Sequence, residues 1–367
     1  MQTSKKRSTA TWLSVSGLMV GLLAACGSSS AKGDDSATAV KKVAAFTCPA
    51  VAADAGAVRS APAAGARLQI VTTVAPITSI VANVAGDRAD VHGVIPEGED
   101  SHTYEPKPSV AKLMSNADVV FVNGLKLEDP TKDIAKSNLS AKGQLVELGT
   151  STISPDEYIY DFSFPKAGGK PNPHLWTNPP MAKCYALIAA SVLAKADPAN
   201  ASAYKANAAA YTAKVDELDG LFVTASATLP ANARRLLTYH DAYAYFAAHY
   251  GWKVIGAIQI SNFEDPTPKE VAGLIEQIKK EKVPAIFGSE VFPSPVLEQI
   301  GKEANVKYVD KLRDDDLPDA PGKPIHSYLG LMRFDFATMV ANLGGDATKL
   351  TAFDATEVVT DRADYPQ

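Results

Sequence analysis

From Leu68 onward, short apolar runs alternate with stretches in which apolar residues recur every three or four positions. The runs LQIVTTV (68–74), ADVHGVI (89–95) and ADVVFVNG (117–124) predict strands, with helices between them through Ile77–Ala85 and near Val110–Ser115. A second series repeats the alternation: RRLLTYH (234–240), WKVIGAI (252–258), PAIFGSE (284–290) and VKYVD (306–310) read as strands, and AYAYFAAHYG (242–251), Pro268–Lys282 and Pro295–Glu303 as helices. Parallel neighbours need a crossover connection, so this order predicts an α/β protein with parallel sheets in two lobes, 67–197 and 229–355. Between the lobes, Tyr204, Ala208, Tyr211, Val215, Leu218 and Phe222 are spaced by three and four, which predicts one long rigid helix within the linking segment 198–228. No Pro or Gly between Ala199 and Leu218 interrupts it. A ligand site is expected in the inter-lobe cleft, where loops leave the carboxyl ends of parallel strands. Residues 356–367 read as a tail.

The amino-terminal pattern differs. Lys5, Lys6 and Arg7 precede an apolar stretch from Trp12 to Ala25, the length of a signal-peptide core and too short for a stable transmembrane helix. It ends Leu23-Ala24-Ala25-Cys26-Gly27, small residues followed by a cysteine, which resembles the lipobox of bacterial lipoproteins. The expectation is a signal peptide over 1–25, acylation at Cys26, and a chain held outside the cytoplasm by a lipid anchor in the bacterial cell membrane. Residues 26–66, rich in Ala, Ser, Gly and Asp and without periodicity, read as a flexible stalk. Cys48 and Cys184 are the remaining thiols, and an oxidising compartment permits them to pair.

Composition narrows the function. With 46% hydrophobic residues over 367 positions the chain builds a substantial core, and no apolar run reaches the length that spans a bilayer. The formal charge is −5, and loss of three cations with the first 25 residues takes it to −8, which disfavours nucleic acid as a partner. No P-loop motif is present, so any transport energy comes from another protein.

Six histidines carry the candidate chemistry. His102 lies in the polar loop EGEDSHTYEPKP (97–108), His174 in the proline-stiffened PNPHLWTNPP (171–180), and His240 at the end of a predicted strand. Successive separations of 72 and 66 residues exclude a local metal motif, so the fold must assemble any site from distant loops. His92, His249 and His326 read as structural or surface residues.

The segments TTVAPITSIVANVAGD (72–87), EGEDSHTYEPKP, ADVVFVNGLKLE (117–128), NPHLWTNP (172–179), YHDAYAYFAAHYG (239–251) and FGSEVFPSPVLEQIGKEANVKYVDKL (287–312) resemble, in order, the TroA-like solute-binding lipoproteins of zinc and manganese ABC importers. The similarity covers about Leu68 to Leu350. It implies a metal held between the lobes by one ligand from each of four loops: His102, His174, His240 and an acid after the last inter-lobe strand, matched to Asp310, with Asp314, Asp315 or Asp316 as alternatives. Glu290 is a further acid at a strand end, and Glu99, Asp100 and Glu105 flank His102. The histidine-rich loop of many zinc receptors has no counterpart in Ser151–Lys170.

The function expected is a monomeric extracytoplasmic receptor that hands a divalent metal to an ABC permease and its ATPase. Three imidazoles and a carboxylate suit Zn²⁺, with a manganese or iron receptor of the same family the alternative. A zinc hydrolase would need an open coordination position, which the acid closes. A siderophore or haem receptor would favour an aromatic or Arg-lined cleft over four protein ligands, and no repeat or adhesive module supports an adhesin.

Overall fold

The computed structural model describes residues 46–49, 66–259, 266–289, 294–359 and 363–366. The amino-terminal segment 1–25, Cys26 and Glu290 lie outside the described residues.

The first lobe runs Leu68–Thr72 (β1), Ala75–Ala85 (α1), Ala89–Gly93 (β2), Pro108–Asn116 (α2), Val119–Val122 (β3), Asp129–Asn138 (α3), Gln144–Glu147 (β4) and Leu148–Thr152 (α4). Its four strands form one parallel sheet in the order β2-β1-β3-β4. All four residues of β3 are buried, as expected of a strand covered on both faces. The short edge strand β4 has no counterpart among the sequence expectations: its four residues alternate between buried and half-buried and carry little apolar signal.

Two helices follow, Pro179–Ala196 (α5) and Ala201–Ala227 (α6). At 27 residues α6 is about 40 Å long. Tyr204, Ala208, Tyr211, Val215, Leu218 and Phe222, the positions whose spacing predicts it, are all buried. Cys48 is joined to Cys184 near the start of α5 by a disulfide.

The second lobe runs Arg235–Thr238 (β5), Ala244–Tyr250 (α7), Lys253–Ala257 (β6), Pro268–Glu281 (α8), Ala285–Ser289 (β7), Pro295–Ala304 (α9) and Lys307–Leu312 (β8). Its parallel sheet has the order β6-β5-β7-β8, the same as the first, although the two halves show no sequence repeat. Tyr328–Asn342 (α10) and Thr348–Thr351 (α11) complete the described elements.

The long helix does not link the lobes unaided. Phe222 of α6 stacks against Phe246 and Tyr250 of α7, Trp252, and Phe336 of α10, with ring centroids between 4.2 and 5.7 Å apart. The segment read as a tail also returns to the first lobe: Asp364 accepts from Gly93 N–H at 2.7 Å and donates its own N–H to Val91 at 3.1 Å, beside the edge strand β2. Aromatic packing and this return of the chain brace the lobes that present the site. Among the described residues no helix is long and apolar enough to cross a membrane.

Candidate metal centre

Each lobe contributes loops from the carboxyl ends of its strands. His102 lies in the loop after β2, where Asp100 accepts its backbone N–H at 2.9 Å. His174 precedes a single 3₁₀ turn, Leu175–Thr177, and the Thr177 hydroxyl sits 2.9 Å from the His174 carbonyl and 2.8 Å from that of Ala242 in the second lobe. His240 stands two residues past β5, its carbonyl accepting from the Thr238 hydroxyl at 2.6 Å.

These three loops bring three Nε2 atoms together. His102 Nε2 is 3.1 Å from His174 Nε2 and 3.1 Å from His240 Nε2, and the last two are 2.9 Å apart. His174 and His240 are buried and His102 is half-buried. The amide of Asn172 settles the protonation of His174. Its Nδ2 donates to the Asp241 carbonyl at 2.7 Å and to the Asp161 carboxylate at 3.0 Å, so its Oδ1 is the acceptor 2.8 Å from His174 Nδ1. His174 therefore carries its proton on Nδ1 and turns a lone pair on Nε2 inward. Gln259 Oε1 lies 3.2 Å from His240 Nδ1 and favours the same tautomer there. Lone pairs at this separation repel unless a positive charge lies among them, either a shared proton or a metal cation.

The carboxylate beside the triad is Asp314. Its Oδ2 lies 3.5 Å from His240 Nε2, is buried and has no hydrogen-bond partner, while Oδ1 accepts from Ser289 at 3.2 Å. Ligands about 2.0 Å from a tetrahedral ion stand roughly 3.3 Å from one another, so the three imidazole nitrogens have close to the spacing of metal ligands, and Asp314 Oδ2 has it towards His240 alone. Burial and the neighbouring imidazoles hold His102 and His174 well below the usual histidine range, which keeps both neutral. Burial also opposes charge on His240, but Asp314 and Asp315 outweigh it and raise its pKa.

Asp310 is not part of this constellation. It is exposed within β8, which continues to Leu312 rather than ending at residue 310. The first acid beyond the true strand end is Asp314, one of the alternatives weighed for this position. The Asp314 loop is fixed from two sides: Trp176 Nε1 donates to the Asp314 carbonyl at 2.8 Å, and Asp335 of α10 accepts Arg313 N–H at 2.9 Å. Asp315 and Asp316 instead join the lobes. Asp315 accepts from Ser101 at 2.5 Å, and the two carboxylate oxygens of Asp316 accept Gly98 N–H at 3.0 and 2.9 Å.

Other acids and histidines fall elsewhere. Glu99 and Glu105 are exposed. His326 pairs with Glu97 at 3.5 Å, His249 lies 3.9 Å from Asp219, and His92 pairs with Asp364. Asn172 and Gln259 carry no signal in the sequence, because an amide that orients a histidine from a distant loop has no local spacing to mark it.

The family profile described as zinc-uptake complex component A, periplasmic, matches residues 70–342. The manganese ABC transporter substrate-binding lipoprotein PsaA of Streptococcus mitis is 28% identical over 77% of this chain and 91% of its own length. The metal ABC transporter substrate-binding lipoprotein FimA of Streptococcus parasanguinis is likewise 28% identical, over 77% of this chain and 92% of its own. Among solved structures, the periplasmic zinc-binding protein TroA of Treponema pallidum superposes with a TM-score of 0.68 at 25% identity, covering 76% of this chain and 99% of that one. The manganese-bound periplasmic metal-binding protein of Candidatus Liberibacter asiaticus gives 0.67 at 26% identity, covering 76% of this chain and 100% of that one.

Proposed function

Because the chain belongs to the zinc-uptake complex component A family, we propose that it is the substrate-binding receptor of a metal ABC importer, taking up Zn²⁺ as its cargo through His102, His174, His240 and Asp314. The observation that carries this reading is the convergence of three Nε2 atoms within 3.1 Å beside the orphaned Oδ2 of Asp314. Nitrogen-rich sites favour Zn²⁺ over Mn²⁺, which ranks lowest in the affinity order of divalent metals. The carboxylate completes four ligands, leaving no coordination position for the water a zinc hydrolase activates. The ion passes to a membrane permease driven by an ATPase, since this chain has no nucleotide motif.

The receptor acts outside the cytoplasm as a monomer. Acylation of Cys26 anchors it, a reading supported by the lipobox-like Leu23–Gly27 and by the lipoprotein names of its relatives. Competition between equimolar Zn²⁺ and Mn²⁺ is expected to leave zinc bound, and Co²⁺ to give the intense visible bands of a four-coordinate site. The relatives named as manganese receptors favour the second reading. Retention of manganese with a six-coordinate cobalt spectrum would establish that reading in place of zinc.

A further inference from the structure

A cavity of about 290 Å³ opens beside His102, the least buried of the three histidines. Leu127, Ser163 and Phe164 line part of it, and the Phe164 ring lies 5.5 Å from that of His102 and 5.7 Å from that of His174. The charged side chains lining it are Lys126 and Lys170. Among the described residues neither lysine has a carboxylate partner, in a chain whose acids outnumber its lysines and arginines by 41 to 36. Lys170 stands near enough to His102 for its charge to help depress the imidazole pKa, after burial and His240.

Lys126 is also held in place. Gly124, Leu125 and Lys126 have φ of 78°, 53° and 64°, three consecutive left-handed residues of which two carry side chains that disfavour that region. The Glu128 carboxylate stabilises the turn by accepting the N–H groups of Asn123 at 2.6 Å and Gly124 at 3.2 Å. Strained backbone of this kind persists where the surroundings over-determine it, and it clusters at functional sites. Cations at the mouth of a cation site repel a bare divalent ion, yet they attract an anion that carries one.

We propose that this cavity is a docking site for a small polycarboxylate anion, so that the receptor accepts its metal as an anionic chelate. This rests on the reading of the histidine triad as the metal site. The transfer is a ligand exchange without redox chemistry. The bond from His102 Nε2 to the metal forms as a metal–carboxylate oxygen bond breaks, and the freed carboxylate is retained by the ammonium groups of Lys126 and Lys170. The volume lies just under the range for small-molecule sites, and a compact anion suits it.

The test follows zinc loading of the full-length protein by stopped-flow fluorescence of Trp176, whose ring lies 5.0 Å from that of His174. Free Zn²⁺ is held at one concentration by citrate or by an uncharged polyamine chelator while total chelate is varied. Loading is expected to rise with total zinc citrate and to run about tenfold faster than from the polyamine. The Lys126→Gln/Lys170→Gln double variant should lose that dependence while binding zinc at equilibrium no more weakly than the parent. Calorimetry should likewise show citrate binding to the metal-free parent and none to the variant. Loading that follows free Zn²⁺ alone in both proteins, or a citrate dependence that survives in the variant, would overturn the proposal. Failure of the parent to bind zinc from either buffer would overturn the metal-site reading together with it.

Discussion

Asp310 and Asp314 are the same residue type four positions apart, and strand geometry separates their roles. Asp310 lies exposed in β8, whereas Asp314 lies past the strand end with Oδ2 buried beside His240. Removing a ligand from a closed shell opens it and leaves the ion poorly compensated. Asp314→Ala is therefore expected to weaken zinc binding by at least a hundredfold, and Asp310→Ala to leave it unchanged, in titrations against a chromophoric chelator. The opposite ranking would return the acidic position to Asp310. Gln259 tests the orienting amides. Its replacement by Leu removes the acceptor at His240 Nδ1, and loss of such a partner typically costs 10–100-fold in metal affinity. An unaltered affinity would show that packing alone orients the ring.

At the scale of elements, the connection from β3 to α3 turns on one buried acid. Glu128 precedes α3 and accepts from Thr73 at 3.0 Å as well as from the backbone of Asn123 and Gly124, which ties β3, α3 and the end of β1 together. Burial pushes its pKa from 4.5 up to about 7, although these hydrogen bonds pull the other way. The folded state therefore binds the Glu128 proton more tightly than the unfolded chain does. Its contribution to stability is complete below pH 4.5 and is lost as pH rises through about 7, a difference on the order of 3 kcal/mol. Urea unfolding at pH 4.5 and pH 8 is expected to show the parent losing more stability than Glu128→Gln over that interval. Parallel losses in the two proteins would mean that the hydrogen bonds, not burial, govern this carboxyl.

For the whole molecule, the decisive feature is that the candidate ligands come from both lobes. His102 and His174 belong to the first and His240 and Asp314 to the second, so the set exists only when both are folded and apposed. Metal is expected to stabilise the entire body by mass action, about 4 kcal/mol at a thousandfold excess over Kd. Calorimetry should then show a rise of several degrees in Tm as a single cooperative transition. A shift confined to one of two resolved transitions would place the metal within one lobe. The aromatic packing around Phe222 and the pairing of Asp364 with strand β2 make the single transition the expected result, since both join parts of the chain far apart in sequence.

The sequence by itself determined the strand–helix order, the long helix and the three histidines. Each of these is written in local periodicity or in short motifs, and local patterns survive without knowledge of what packs against them. It left open which acid stands beside the histidines, because the answer depends on where β8 stops, and β8 runs to Leu312 with a register shift in its pairing to β7. The amides that set the histidine tautomers, the matching order of the two sheets and the return of Asp364 to β2 were decided only by the tertiary structure. All of these are contacts between residues far apart in the chain, and their energy depends on distances that only the folded backbone fixes.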